Sequence, residues 1–232
     1  MIPIKDFNPS RSTPVITILI IVACSIVFLY EILLPPNIRE VFVRMFAVIP
    51  FEVMHGVDIP PPDPLTPYGS LISYQYLHGG FLHIFGNMLF LWVFGDNVED
   101  RLGKLKYFIF YTLCGISAAI IQSLVYPNSD IPLIGASGAI SGVLGAYAVM
   151  FPRAQILTLI FIFFFIDVIV LPASLWIGIW FLMQFMSALI SVNHLSMGGV
   201  AWFAHIGGFI TGIILVKILY RKRKDEEFEI PL

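Results

Sequence analysis

Apolar positions in this chain fall in long unbroken runs, with few of the alternating or one-faced patterns of a water-soluble fold. A helix that crosses a bilayer needs about 20 mainly apolar residues, because backbone groups cannot be left unpaired in hydrocarbon. Residues 13–34 (TPVITILIIVACSIVFLYEILL) satisfy this, with Glu31 alone charged and close to the end. The run lacks a small-residue cleavage site after a short apolar core, so it reads as a retained span rather than a removed signal peptide. Residues 35–77 are different. They combine an amphipathic piece, NIREVFVRMFAVIPFEVM, with the proline-rich IPPPDPLTP, which predicts a long structured first loop carrying a helix at the membrane surface.

Further spans are predicted at residues 81–96, extended by up to a turn at either end, and at 105–125, followed by the polar turn YPNSDIP at 126–132. Residues 135–151 (GASGAISGVLGAYAVMF) are short and crowded with small side chains. The stretch 156–190 reads as one span plus a surface piece, or as two spans. Asp167 and Pro172 interrupt it, so 171–190 is the better crossing, and the last span is 199–219.

Charge placement chooses between six and seven spans, since cytoplasmic loops carry the excess of Lys and Arg. With six spans and both termini inside, 11 of the 13 basic residues are cytoplasmic, and only Arg39 and Arg44 lie outside. A seventh crossing at 156–170 would put the basic tail outside. The expected fold is therefore an all-α membrane protein, a six-helix bundle with a long first loop and both termini cytoplasmic. It forms one domain over residues 1–232, with a core at 13–219 and a charged tail at 220–232. Residues 156–170 would lie at the cytoplasmic surface or dip into it.

Composition agrees: 58% of the 232 residues are apolar, 12% are charged, and the mean hydropathy is +0.90. That excludes an ordinary soluble domain and a disordered chain. A formal net charge of -2 leaves no basic surplus for a nucleic-acid partner. Cys24 and Cys114 lie inside apolar runs and read as small hydrophobes, a disulfide being the weaker alternative. No metal-ligand spacing occurs: HExxH is absent, and neither a metal nor a cofactor is expected.

Polar groups inside spans are costly and tend to face an interior or a water-filled cavity. His83 and Asn87, four apart, share one face of the second span. Ser137 opens the fourth span. His205 sits about six residues into the sixth, roughly 9 Å down at 1.5 Å per residue. Under the six-span topology all three helices start outside, so the four residues share the outer half of the membrane. The fourth and sixth spans carry matching stripes of small residues, Ser137, Gly138, Ser141, Gly142 and Gly145 against Ala201, Ala204, His205, Gly208 and Gly212. Such stripes allow close backbone approach.

These residues suit acyl transfer, with His205 taking the proton of Ser137 as the hydroxyl attacks a carbonyl and returning it to the leaving amine. His83, Asn87 and the Ser137 backbone N–H are available to hold the oxyanion. No in-span carboxylate is placed to orient His205, because Asp96 and Asp167 fall near the cytoplasmic side, so a dyad is the better reading. Singly, each residue has a plainer role: a helix cap for Ser137, a core or proton-path histidine for His205, interhelical glue for Asn87. His78 either lines a water entry or supports the second-span site, or else is an interfacial anchor. Trp92, Trp176, Trp180 and Trp202 read as anchors or packing, and Met183, Phe185 and Met186 as core or lipid-facing. The coincidence of four polar groups at one depth favours catalysis over a channel or a non-catalytic binder of transmembrane segments.

Four stretches, HGGFLHIFGNMLFLWVFG (78–95), VEDRLGKLKYF (98–108), GASGAISGVLGAY (135–147) and AWFAHIGGFITG (201–212), resemble the rhomboid intramembrane serine proteases over the whole predicted core. The resemblance implies Ser137 as nucleophile and His205 as base, His83 and Asn87 as oxyanion-holding residues, and His78 as the outer histidine before them. It also implies Gly208 as the glycine that lets the sixth helix lie against the fourth. The implied substrates are membrane proteins with a single or unwindable transmembrane segment, cut near the outer face, often after a small residue, and entering laterally between the second and fifth spans. A plasma or inner membrane is the expected location. Two departures stand out. Ser141 occupies the position four after the nucleophile, where many members place an aromatic on the histidine, so either another residue supports His205 or the ring is less constrained. The Trp-Arg pair of some first loops is also missing.

Overall fold

The computed structural model describes residues 1–62, 64–162, 165–192 and 200–220. In chain order it contains strand β1 (Ile2–Asp6), helix α1 (Val15–Leu33), then α2 (Pro36–Phe46), α3 (Pro50–His55) and α4 (Thr66–Ser73) within the first loop, and a short 3-10 turn at Tyr74–Tyr76. Helices α5 (Phe81–Leu102), α6 (Lys104–Val125) and α7 (Ser137–Met150) follow, then strands β2 (Gln155–Ile162) and β3 (Phe165–Pro172), and finally α8 (Ala173–Val192) and α9 (Trp202–Leu219). Among the described residues, five helices (α1, α5, α6, α8 and α9) are long and apolar enough to cross a membrane, and α7 is a shorter apolar helix.

The bundle is organised around α7, which packs against α5, α6, α8 and α9 and is buried at every residue from Gly138 to Tyr147. Its composition explains that position. Glycine, alanine and serine leave room for neighbouring backbones, and the area lost from bulky side chains is regained as close contact. A methyl added at Gly208 would overlap the Gly138 carbonyl oxygen, and one at Gly212 would overlap that of Gly142. The small-residue stripes read from the sequence therefore do meet. At one end of the bundle Phe94, Tyr147 and Trp176 form an aromatic cluster, with Phe94 5.1 Å from Tyr147 and 5.5 Å from Trp176.

Helix α1 is fastened to α5 by a buried carboxylate. Glu99 accepts the backbone N–H of Ile16 at 2.9 Å and that of Thr17 at 2.8 Å, and also the Thr17 hydroxyl at 2.9 Å. N–H groups in the first turn of a helix have no partner within the helix, and a negative charge there is favoured by the helix dipole. Cys24 and Cys114 are both buried and unpaired, as small hydrophobes would be.

The bundle also carries an element the sequence reading did not foresee. Strands β2 and β3 pair antiparallel where an all-α fold with only a surface piece was expected, and β1 adds to them in the order β1-β2-β3. Ile156 and Thr158 face inward and are fully buried, whereas Phe161, Ile166, Val168 and Val170 are exposed. Apolar residues on both faces give no helical period, and a run of this kind is compatible with either structure. The sheet is tied to the bundle through Asp6, whose carboxylate accepts from the Tyr147 hydroxyl at 2.6 Å and the Asn97 amide at 2.7 Å. Asn97 lies near the end of α5, about 21 Å along the axis from His83 at 1.5 Å per residue. The first loop and the starts of α5, α7 and α9 occupy the opposite end. Within the expected tail, residues 221–232 lie outside the described residues, as does residue 199 at the expected start of the last span.

Candidate active site

The first two turns of α5 and the first turns of α7 and α9 bring His83, Asn87, Ser137 and His205 together. Ser137 is the first residue of α7, and His205 stands in the first turn of α9. Because α9 begins at Trp202, His205 lies about 4.5 Å into its helix, half the depth expected from the sequence. The Ser137 hydroxyl and His205 Nε2 are 2.9 Å apart, within hydrogen-bonding range for a nucleophile and its base. Both residues are partly exposed.

On the far side of His205, Nδ1 lies 2.8 Å from the side-chain oxygen of Gln184 on α8. An amide oxygen can only accept, so the proton resides on Nδ1 and the Nε2 lone pair faces Ser137. Trp180 and Trp202 flank the imidazole, with ring centroids at 6.3 and 6.1 Å and interplanar angles of 32° and 87°. The α9 N-terminus is further held by Gln122 of α6, whose side-chain oxygen accepts the Ala204 N–H at 3.2 Å. Ser141 does not touch the ring. Its hydroxyl donates to the Ser137 carbonyl at 2.6 Å, so support for His205 comes from α8 and Trp202. Gln184 was not singled out from the sequence. It is an uncharged amide inside FLMQFM, and the signal that could have found it is the cost of a polar side chain in an apolar span.

Two donors line the other wall. Gly79 N–H donates to His83 Nδ1 at 3.3 Å, which leaves the imidazole proton on Nε2. Asn87 is buried, and its side-chain nitrogen has no hydrogen-bond partner. Buried polar groups are nearly always paired, so an unpartnered amide here stands out. Between these donors and Ser137 runs Gly135, with φ +115°. A Cβ on Gly135 would lie 2.6 Å from His83 Nε2 and 3.6 Å from Asn87 Nδ2. The missing side chain thus keeps the space in front of both donors open, two residues before the serine. Gly138 serves packing: a Cβ there would meet Ala118 at 2.6 Å and the Tyr74 hydroxyl at 3.2 Å.

His78 precedes α5 and is fully buried. Its ring packs edge-on against His83 at 5.1 Å, Nδ1 donates to the Tyr76 carbonyl at 3.2 Å, and its backbone N–H donates to Glu31 of α1 at 3.3 Å. Burial lowers its pKa to about 4, with His83 a smaller contributor, so it is a neutral prop behind His83. A cavity of about 620 Å³ lies elsewhere, beside α2, and is lined by Ile32, Arg39, Val43 and Arg44 among others. None of the residues above lines it.

A family description named the rhomboid domain matches residues 67–222. The chain is 31% identical over 157 residues to Rhomboid protein 1, mitochondrial, of Saccharomyces cerevisiae, an alignment covering 66% of this chain and 42% of that protein. It is 31% identical over 163 residues to RHOMBOID-like protein 6, mitochondrial, of Arabidopsis thaliana, covering 68% and 46%. It is 36% identical over 80 residues to the putative rhomboid protease YdcA of Bacillus subtilis, covering 34% and 40%. The chain spans less than half the length of each of these relatives. It belongs to the rhomboid family.

Proposed function

We propose that this chain is an intramembrane serine endopeptidase that hydrolyses peptide bonds in or beside transmembrane segments, with Ser137 as nucleophile and His205 as base. The observation that carries the reading is the 2.9 Å pairing of Ser137 and His205 beside an unpartnered buried Asn87 amide. Ser137 Oγ attacks the carbonyl carbon while its proton passes to His205 Nε2. The oxyanion is held by Asn87 Nδ2, His83 Nε2–H and the Ser137 N–H at the open end of α7. The imidazolium then protonates the leaving amine as the C–N bond breaks, giving an acyl-serine. Water, deprotonated by His205, releases the acid and restores the serine. Preorganised donors in a water-poor site each contribute about 10²–10³ in rate.

Six spans with both ends cytoplasmic put this chemistry near the outer face of a plasma or inner membrane. Supporting that orientation, the site and the sheet occupy opposite ends of the bundle, and Lys5, Arg101, Lys104 and Arg153 belong to the sheet end. The substrates are single-span or unwindable transmembrane proteins. A peptide bond within a hydrogen-bonded helix is shielded from attack, and Gly or Pro makes local unwinding cheaper.

The test is cleavage of a transmembrane substrate in proteoliposomes together with fluorophosphonate labelling of Ser137. Ser137→Ala and His205→Ala are each expected to abolish cleavage with the fold retained. Normal cleavage by folded Ser137→Ala protein would overturn the proposal, and solute flux without labelling would point to a transport role.

A further inference from the structure

We infer that Gln184 is the positioning residue for His205, making the reactive unit a neutral Ser–His–Gln array in which an amide oxygen stands where many serine hydrolases place a carboxylate. This rests on the Ser137–His205 reading and adds what keeps that pair poised.

The ring is held at both ends. Nε2 is 2.9 Å from the Ser137 hydroxyl and Nδ1 is 2.8 Å from Gln184 Oε1. A neutral imidazole has one donor and one acceptor nitrogen, and the partner of one decides the role of the other. With the amide oxygen on Nδ1, the lone pair is directed at Ser137, as a base requires. Without it, either tautomer would be available, and the one protonated on Nε2 cannot take the serine proton.

The placement of Gln184 on α8 suits this role. Met183, Phe185 and Met186 around Gln184 are 46, 41 and 42% exposed on the outer surface of α8, while Gln184 is only 8% exposed and turned toward α9. An amide buried in an apolar span without a hydrogen bond is costly, and His205 supplies that bond. The position four after the serine cannot take over, because Ser141 is engaged with the Ser137 carbonyl. Trp180 and Trp202 bracket the ring without offering it an acceptor.

The charge environment of the ring matters as well. The elements packed on this part of α9 are α6, α7 and α8. From α6 come Ile121 and Gln122, from α7 Ser137 and Gly138, and from α8 Trp180 and Gln184, none of them titrating near neutrality. Across the site the facing titratable group is His83 of α5. Gln184 therefore orients the imidazole without adding a negative charge that would hold it protonated.

The experiment uses the full chain in proteoliposomes and measures kcat and KM against pH for wild type, Gln184→Met and Gln184→Glu. Isotope-edited nitrogen NMR reads the His205 tautomer in the same proteins. Gln184→Met is expected to lower kcat about ten- to a hundredfold with KM little changed. Gln184→Glu, which keeps an acceptor, is expected to recover most of that loss and to move the acid limb of kcat/KM to higher pH, since an adjacent carboxylate favours the imidazolium. NMR is expected to show Nδ1 protonated in wild type and a mixture in Gln184→Met. Unchanged kcat and pH profile in Gln184→Met would overturn the inference, as would loss without recovery or pH shift in Gln184→Glu, the mark of a purely structural residue. A wild-type ring protonated on Nε2 would overturn it regardless of activity. Failure of the underlying protease reading shows separately, as a wild type that neither cleaves nor labels.

Discussion

Replacing Gly135 by alanine tests the proposed oxyanion site with one methyl group. In the structure that methyl would sit 2.6 Å from His83 Nε2, 2.8 Å from His83 Cε1 and 3.6 Å from Asn87 Nδ2, so it would cover both donors without removing either. Loss of a single oxyanion donor costs about 10²–10³ in kcat, or roughly 2.7–4 kcal/mol. Covering two is expected to bring the loss to about 10³ or more. A second, smaller effect falls on stability. The φ of +115° is outside the comfortable range of an L side chain, and such strain costs of order 1–3 kcal/mol. The assay is kcat and KM on a transmembrane substrate, with a thermal midpoint to confirm folding. Asn87→Ala, expected to lose about 10² in kcat, is combined with Gly135→Ala in a double-mutant cycle. Because both act on the same donor, the double variant should lose less than the sum of the singles. A folded Gly135→Ala protein with kcat within about twofold of wild type, or strict additivity with Asn87→Ala, would refute the oxyanion assignment.

Two other predictions concern the scaffold. Gly208→Leu would drive a side chain into the Gly138 carbonyl and force α9 away from α7. Overpacking of this kind costs about 1–3 kcal/mol or more, so a lowered thermal midpoint and loss of cleavage are expected, and an unchanged midpoint would contradict the close packing. Asp6, outside the spans, has its pKa raised from 3.8 to about 6, burial outweighing its hydrogen bond from Tyr147. The folded state then holds the proton more tightly than the unfolded state, so this group's contribution to stability falls as pH rises from about 4 to about 6 and is level above that. Comparing thermal midpoints of wild type and Asp6→Asn across that window should show the difference changing with pH; parallel curves would remove Asp6 as the cause.

Hydropathy made the long helices legible in the sequence, since each supplies enough apolar residues to be recognised alone. Helix α7 has only 14 residues and was read instead from its small side chains, whose meaning lies in contact with α9. The grouping of His83, Asn87, Ser137 and His205 at one end followed from helix direction, because three helices starting on the same side present their first turns together. What escaped were features whose signal is not local. Residues 2–6 have no pattern that marks a strand, and their partners lie beyond residue 155. Gln184 carries no charge, and its partner is 21 positions away. Gly135 resembles the other small residues of its segment until its φ and its closeness to His83 are known.

Strand β1 has a consequence for biogenesis. Ile2 pairs with Leu159, about 157 residues later, so at about 5–20 residues per second the early segment waits roughly ten to thirty seconds for its mate to leave the ribosome. By then α7 has been made. The sheet thus joins a segment that precedes the first helix to one made only after four of the bundle's helices, so its closure follows their synthesis.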